Sequence, residues 1–308
     1  MNPKYVSLIT PSKWMGGELG PYKEMKGFFD YFAKSKHLKL IHDYASSFDV
    51  FDLVDIKGGV SYFLYDSLND TKLNYVLHEK GKVFNDIREV HNDDATIIRF
   101  PQLMSIITKV KEINSNGYMS SIVSSRNPYG FISDFFEKNN EHIEQFDELT
   151  PEHDVTVFGL LKGKRMVKYI SRKDLIKDTG GFTKYKVFVP RANGTGAFGE
   201  KFSTPILGLP IQISTDTFLE MGPFETKEEA QACFNYIKTK FFRAMVGAKK
   251  TGVFNYKDAF QYVPIQLFKK SDIDWKCSIE NIDNQLFKKY QLSHNEIEFI
   301  EEKVQPME

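Results

Sequence analysis

The sequence predicts an α/β protein that starts with part of an open sheet and continues into a smaller mixed α+β region. A short β-branched run at 5–9 precedes an amphipathic helical pattern at 22–33, and two more strand patterns occupy 38–44 and 58–66. Because a strand and its crossover helix usually lead to a parallel strand, this order fits the second half of an open α/β sheet. A doubly wound sheet needs more strands than these, so we expect others to complete it.

The individual elements of the first region follow from their patterns. The run at 5–9 is almost continuously apolar, which predicts a strand that is buried on both faces. The pattern at 22–33 places four apolar residues on one helical face. One further strand is expected over 72–84 and a helix over 102–112.

The later region contains short strand patterns that are separated by Gly and Pro. These patterns lie at 154–161, 164–171, 184–192 and 209–222. A helix is then expected over 226–249, because Thr226 and Glu229 have the spacing of a capping box, and Ser293 and Glu296 repeat it before a final helix.

Composition limits the class of protein. The 308 residues contain 41 basic and 41 acidic side chains, so no overall charge steers the molecule toward polyanions. A hydrophobic content of 41% supports folded domains, and two isolated cysteines, Cys233 and Cys277, cannot form a disulfide framework. The sequence has neither a secretory leader pattern nor an apolar run of membrane-spanning length. We therefore expect a cytoplasmic protein with no membrane association.

Charge is nevertheless segregated along the chain. Residues 134–154 carry eight acidic side chains and one lysine, whereas residues 162–191 carry ten basic and two acidic side chains. Aromatic residues occur among these basic residues, a mixture that suits phosphate neutralisation and base stacking. A solvated charged face is the alternative interpretation.

Seven basic residues are candidates for contact with double-stranded DNA. They are Arg126, Lys162, Lys164, Arg165, Arg172, Lys186 and Arg191. Arg126 and Arg191 lie in loop sequences, SSRNPYGF and VPRANG, where a guanidinium fork could reach a guanine edge. Either residue could instead form a structural salt bridge.

No self-contained catalytic motif is present. The seven histidines lack metal-ligand spacing, so no metal site is expected, and there is no P-loop or GxSxG sequence. Residues 194–199, GTGAFG, match the dinucleotide-binding fingerprint, but two prolines follow where that fold needs a helix. We interpret this segment as a flexible glycine loop.

At TPSKW and DVFDLVDIKGGVSYFL the sequence resembles the adenine-specific DNA methyltransferases of type II restriction-modification systems. The likeness continues through SSRNPYGF, KVFVPRANG and FQYVPIQLF to the final LFKKYQLSHNEIEFIEEKVQPM, so it extends over nearly the whole chain. The resemblance implies the C-terminal half of a Rossmann-like methyltransferase sheet followed by a mixed α+β target-recognition domain.

The resemblance also implies chemistry. Such enzymes use S-adenosylmethionine and extrude the target adenine, because its amino group is inaccessible inside the base stack. Phe51 matches the aromatic residue that stacks on the extruded base. The strand 58–66 is expected to run antiparallel beside the first strand, and Gly58 and Gly59 to let the backbone approach DNA.

The sequence departs from the family in lacking both the Asn-Pro-Pro-Tyr motif and the cofactor-binding glycine loop. We therefore expect an upstream chain to carry the cofactor-binding half, and we expect this chain alone to be inactive in methyl transfer. The expected domains are 1–85 for the partial sheet, 86–275 for target recognition and 276–308 for a C-terminal helical segment. A non-catalytic DNA-binding specificity module and an inactive truncated gene product are the alternatives.

Overall fold

The computed structural model describes residues 3–17, 23–89, 95–138, 143–178 and 180–307. The first part of the chain forms a five-stranded mixed sheet with one helix between its first two strands. The elements are β1 (Tyr5–Pro11), α1 (Lys26–Lys34), β2 (Leu38–Tyr44), β3 (Val60–Asp66), β4 (Leu73–Glu79) and β5 (Lys82–Arg88).

The strand order in this sheet is β1-β3-β2-β4-β5. β3 is antiparallel to both of its neighbours, with Phe63 opposite Leu8 on one side and Ile41 on the other. β2 and β4 are parallel, and β5 returns antiparallel to β4. The expectation that strand 58–66 lies antiparallel beside the first strand is confirmed.

β1 lies at the edge of the sheet and is not buried on both faces as its apolar sequence predicted. Tyr5 and Ile9 are 56% and 67% exposed, and exposed and half-buried residues alternate along the strand. The prediction was wrong because a continuous apolar run does not reveal whether a second neighbouring strand is present. One edge and one face of β1 are open.

The single strand predicted over 72–84 is a hairpin of β4 and β5. Lys80 and Gly81 form its two-residue turn, with φ of 51° and 74°. Positive φ at both central residues matches the right-handed twist of paired strands. The sequence did not predict this turn, because lysine rarely adopts the left-handed backbone conformation that the first turn position requires.

The rest of the chain contains the helix α2 (Pro101–Ile113), close to its predicted bounds, and two three-stranded sheets. One sheet has the order β10-β6-β7 and the other β11-β8-β9. Their strands are β6 (Val155–Leu161), β7 (Lys164–Ile170), β8 (Tyr185–Pro190), β9 (Ile206–Gly208), β10 (Gln212–Ser214) and β11 (Phe218–Phe224).

The helix predicted over 226–249 is divided into two helices, α3 (Lys227–Tyr236) and α4 (Lys240–Gly247). The capping box of Thr226 and Glu229 is present at the start of α3. Thr239 caps α4 by accepting from the Phe242 N–H at 3.1 Å. The carboxylate of the distant Asp283 accepts from the first two amides of α4, those of Lys240 and Phe241. A long-range cap therefore stabilises a helix start that local sequence did not reveal.

Two helices complete the chain, α5 (Ile279–Lys289) and α6 (His294–Lys303). The capping box predicted from Ser293 and Glu296 is present at the start of α6. Within the described residues, no helix has the length and apolarity required to span a bilayer.

Two hydrophobic cores organise the molecule. The larger core includes Trp14, which follows β1, Phe63 from β3, Ile106 from α2, and helix residues as far as Ile300. The smaller core lies around β6, β8 and β10. The first sheet and the C-terminal helices therefore share one core.

Candidate nucleic-acid interface

An exposed apolar loop connects β2 to β3 and contains Phe51. The Ser47 hydroxyl closes this loop, since it donates to the Val54 carbonyl at 2.6 Å and accepts from the Ile56 N–H at 2.8 Å. The Phe51 N–H also donates to the Ser47 carbonyl, at 2.8 Å. These bonds hold an Ω-like loop whose apolar side chains point outward. The exposed side chains are Phe48, Val50, Phe51, Leu53 and Val54.

The base of the Phe51 loop is fixed by a buried polar network. Asp43, which is fully buried near the end of β2, accepts from Arg99 Nε at 2.5 Å and from Arg99 Nη2 at 3.0 Å. Ser12 and Tyr75 donate to the same carboxylate at 2.8 and 2.6 Å. Arg99 Nη2 also donates to the Gly58 carbonyl at 2.8 Å, at the end of the loop.

This network keeps Arg99 charged. Burial alone would lower the pKa of Arg99, but the charges and hydrogen bonds of Asp43 and Tyr75 raise it above its usual value. Sequence reasoning missed the network, because its members are up to 87 residues apart and no spacing connects Ser12 with Arg99.

Gly58 and Gly59 pack against the protein itself. A Cβ at Gly58 would lie 2.2 Å from the Thr251 carbonyl, and one at Gly59 would lie 2.1 Å from the Tyr44 carbonyl. Both glycines have positive φ, of 88° and 86°. Their conformation thus serves internal packing, and the close approach to DNA expected of them is not required to explain it.

A cleft of about 560 Å³ lies between the Phe51 loop, the glycine loop 194–199 and the end of α6; we call it the loop cleft. Among its lining residues are Phe48, Lys57, Lys80, Arg99, Gly196 and Lys303. Three of its four basic side chains are in ion pairs, and these are Lys57 with Asp55, Arg99 with Asp43, and Lys303 with Glu79. In the described part of the chain, Lys80 is the basic residue of this cleft that has no ion-pair partner.

The glycine loop encloses an internal carboxylate. The amides of Thr195 and Gly196 donate to Glu200 at 2.7 and 3.1 Å, and the Thr195 hydroxyl also donates to it. Burial would raise the pKa of Glu200, but these hydrogen bonds lower it below its usual value. The loop amides that would bind a phosphate are therefore already used by Glu200, which supports the rejection of the dinucleotide interpretation.

Residues 146–154 of the acidic segment lie against the basic segment and neutralise part of it. Phe146 and Tyr169 exchange two backbone hydrogen bonds of 2.9 Å, which places the acidic segment beside β7. Lys168 then pairs with Asp147, and Arg172 pairs with Asp154 at 2.6 Å. The segregation seen in the sequence is thus partly cancelled in three dimensions.

The predicted DNA-contacting lysines differ in accessibility. Lys162 lies in the β6–β7 turn and Lys164 begins β7; both are exposed and have no ion-pair partner within the described residues. Lys186 is fully buried in β8, and its ammonium donates to the Gln212 carbonyl at 2.9 Å. Burial, partly offset by the charge of Glu220, lowers the pKa of Lys186 to about 8. Its burial argues against the DNA contact predicted for it.

Two of the three remaining arginines, Arg165 and Arg191, line a pocket of about 380 Å³ together with Asp216; we call it the arginine pocket. The two Nη atoms of Arg165 donate to the Thr204 and Ser203 carbonyls, at 2.6 and 2.7 Å.

The other two arginines of this group differ in their partners. Arg126 pairs with Asp216 at 2.5 Å, as the salt-bridge alternative proposed. Arg191 lies over the ring of Phe254, with its guanidinium carbon 5.0 Å from the ring centroid.

The loop cleft and the arginine pocket are adjacent. Arg191 and Ala192 line the pocket, and Thr195 and Gly196 line the cleft. Four residues of extended chain reach at most about 14 Å, so Arg191 lies within that distance of Thr195. The segment that lines the arginine pocket thus leads directly into the glycine loop that lines the cleft.

No cluster of three or more potential metal ligands occurs in the part of the chain that the structure describes. His91 and His142 lie outside it. Cys233 and Cys277 are both free thiols.

No protein-family model matches this chain. An uncharacterized adenine-specific methylase from Mycoplasma pneumoniae is 27% identical over 126 residues, which cover 38% of this chain and 29% of that protein. Among solved structures, the type IIL restriction-modification enzyme MmeI in complex with DNA aligns with 97% of this chain and 49% of its own, at a TM-score of 0.47 and 9% identity. The type IIG restriction endonuclease BpuSI aligns with 99% of this chain and 48% of its own, at a TM-score of 0.35 and 11% identity.

The chain is a mixed α/β protein with several sheets. Over 126 residues it is similar to an uncharacterized adenine-specific methylase, and this similarity confirms the resemblance to adenine-specific methylases that its motifs indicate. The match covers less than a third of the curated methylase, and the chain spans about half of each of the two solved structures.

Proposed function

We propose that this chain is the DNA-recognising part of an adenine-specific DNA methyltransferase of a restriction-modification system, and that Phe51 stacks on the flipped adenine. The observation that carries the proposal is the exposed apolar loop at the end of β2, which Arg99 fixes to the sheet through Asp43 and Gly58. A base that leaves its stack needs an aromatic face in a fixed position. Phe51 is 38% exposed in that loop.

The open edge of the first sheet supports an incomplete methyltransferase domain. In the family's arrangement, an antiparallel strand such as β3 lies beside a strand that is interior to the whole sheet. Here the equivalent strand, β1, exposes Tyr5 and Ile9 and has a free edge. An uncovered strand edge and apolar side chains favour further strands. We propose that these strands belong to the part that carries the cofactor site and the Asn-Pro-Pro-Tyr motif.

S-adenosylmethionine does not fit the glycine loop that the structure describes. The amides of that loop donate to Glu200, whose carboxylate would repel the carboxylate of a bound cofactor. The chain contributes no recognised acidic ribose ligand beside a glycine-rich turn. We therefore assign cofactor binding to the partner part, and to this chain the positions of DNA and of the extruded base.

The proposed recognition surface lies within residues 86–275. It combines the exposed Lys162 and Lys164 at the β6–β7 turn with Arg126 and Arg191 around the arginine pocket. Lysines at a turn suit phosphates, whereas planar guanidinium groups suit base edges. We assign the positioning of the adenine to the sheet part, 1–85. The segment 276–308 stabilises the sheet part through the core that the two share.

Co-expression of this chain with the product of the adjacent upstream gene tests the proposal, with N6-methyladenine in DNA as the readout. We expect methylation only when both are present. Phe51→Ala should lower the methylation rate about tenfold or more, because a base-stacking contact is lost. The matched control is Leu53→Ala, which removes a 94% exposed side chain from the same loop and should have little effect.

Other outcomes separate the alternatives. Methylation by this chain alone would show that the cofactor site does not lie in a partner. If the chain binds DNA sequence-selectively but no methylation occurs with or without the upstream gene product, a non-catalytic specificity module is favoured. Failure to bind DNA would favour an inactive gene product.

A further inference from the structure

Arg191 is a half-buried arginine without a hydrogen-bond acceptor for its guanidinium among the described residues. Burial, and then the nearby charge of Arg126, lower its pKa, while Asp216 opposes them. A partly desolvated guanidinium whose donors lack acceptors is unfavourable in the free protein. A ligand that supplies acceptors at this position would remove that cost.

The backbone around Arg191 is held by neighbouring segments. The Arg191 N–H donates to the Thr217 carbonyl at 2.8 Å, and the Arg191 carbonyl accepts from the Asn255 N–H at 2.6 Å. The Asn193 N–H donates to the Val253 carbonyl at 2.7 Å. These bonds join the segment that carries Arg191 to the one that carries Phe254. The backbone segments that carry the guanidinium and the ring beneath it are therefore fixed relative to each other before any ligand binds.

The neighbouring arginines are committed to internal partners. Both Nη atoms of Arg165 donate to backbone carbonyls, and Arg126 forms an ion pair with Asp216. In the described part of the chain, Arg191 is the arginine of this pocket with its full set of donors available. Phe254 is 45% exposed. The outer face of the pair formed by the Arg191 guanidinium and the Phe254 ring is therefore open to a planar ligand.

We propose that Arg191 is a specificity-determining residue, which donates two parallel hydrogen bonds to O6 and N7 of a guanine in the DNA major groove. Phe254 is a positioning residue that fixes the guanidinium plane. Guanine is the base whose major-groove edge offers two adjacent acceptors to such a fork. This inference rests on the proposed function, since it specifies how the recognition surface selects its site.

Selection from a pool of randomised duplexes, followed by sequencing of the bound fraction, tests the inference with the full chain. The wild-type protein should enrich a motif that contains an invariant G·C pair. Arg191→Lys keeps the charge but removes the fork, so the preference at that pair should fall at least tenfold while other positions keep theirs. Phe254→Ala should weaken the same preference, and Phe254→Tyr should restore it.

Lys164→Ala is the matched control, because it should weaken binding to all sequences alike. An unchanged motif with Arg191→Lys would overturn the inference and leave the proposed function standing. A loss of affinity that is equal for all sequences would also overturn it, and would make Arg191 a phosphate contact. If the wild-type protein binds no duplex, the proposed function fails and the inference fails with it.

Discussion

Arg99 grips Asp43 with two hydrogen bonds, Nε to Oδ2 at 2.5 Å and Nη2 to Oδ1 at 3.0 Å, across 56 residues of sequence. The same guanidinium holds the carbonyl of Gly58. A single side chain therefore connects the end of β2 with the start of β3 and fixes the position of the loop between them.

Arg99→Met should strongly destabilise the protein. It leaves the fully buried Asp43 carboxylate without its cationic partner, a change that typically costs about 3–5 kcal/mol of unfolding free energy. Urea denaturation measures this loss. Arg172→Met removes an exposed partner of Asp154 and should leave the unfolding midpoint nearly unchanged. Equal midpoints for wild type and Arg99→Met would contradict a structural role for the pair.

Gly58→Ala should be more destabilising than Gly81→Ala. Both glycines have positive φ, 88° and 74°, but only at Gly58 would a Cβ collide with a neighbour, the Thr251 carbonyl 2.2 Å away. Gly81→Ala should cost about 1 kcal/mol from backbone strain alone, and Gly58→Ala more than that. Thermal unfolding of the two variants gives the comparison. A similar loss in both would mean that the contact with Thr251 is not tight.

Asp283 should make stability depend on pH. Burial raises the pKa of Asp283 to about 6, despite the amides of Lys240 and Phe241 that favour its charged form. The folded state then holds a proton that the unfolded state has released, so stability from this group is present below about pH 4 and is lost as pH rises through about 6. The loss is about 3 kcal/mol.

Asp283→Asn should remove that dependence. Chemical denaturation at pH 4 and pH 7 should show that the variant loses less stability than the wild type between the two values. Asp55→Asn, at an exposed carboxylate that pairs with Lys57, is the control and should follow the wild-type profile. Parallel profiles for Asp283→Asn and wild type would contradict the raised pKa.

The two β-strand lysines Lys164 and Lys186 should affect different properties. Lys164→Ala should reduce the salt dependence of DNA binding by about one unit of slope, as expected for one lost phosphate contact. Lys186→Met should leave that slope unchanged and lower the unfolding free energy by about 1–3 kcal/mol, because the Gln212 carbonyl loses its donor. Filter binding at several salt concentrations and urea denaturation separate the two effects. A reduced slope with Lys186→Met would restore its predicted role.

Sequence reasoning succeeded where the determinant is local. The helix starts at Thr226 and Ser293 have their capping boxes, because a hydroxyl and a carboxylate three residues apart suffice to form one. It failed where the determinant comes from elsewhere in the chain. The helix start at Thr239 depends on Asp283, and the exposure of β1 depends on which strands lie beside it.

The candidate site shows the same division. Charge along the sequence indicated a basic segment, but folding brings Asp147 and Asp154 to its lysine and arginine partners. Of the seven residues expected to contact DNA, Lys186 is buried in the folded protein, and the guanidinium of Arg165 donates to backbone carbonyls of the protein itself. No local pattern could have given these orientations, since each depends on segments that are far away in sequence.

The core shared between the first sheet and the last helices has a genetic consequence. Phe299 in α6 packs against Phe100 with ring centroids 5.2 Å apart, and Glu296 pairs with Lys109 at 2.6 Å. A lesion that removes residues 294–308 would therefore also remove these two contacts with α2 and weaken the core beside the first sheet.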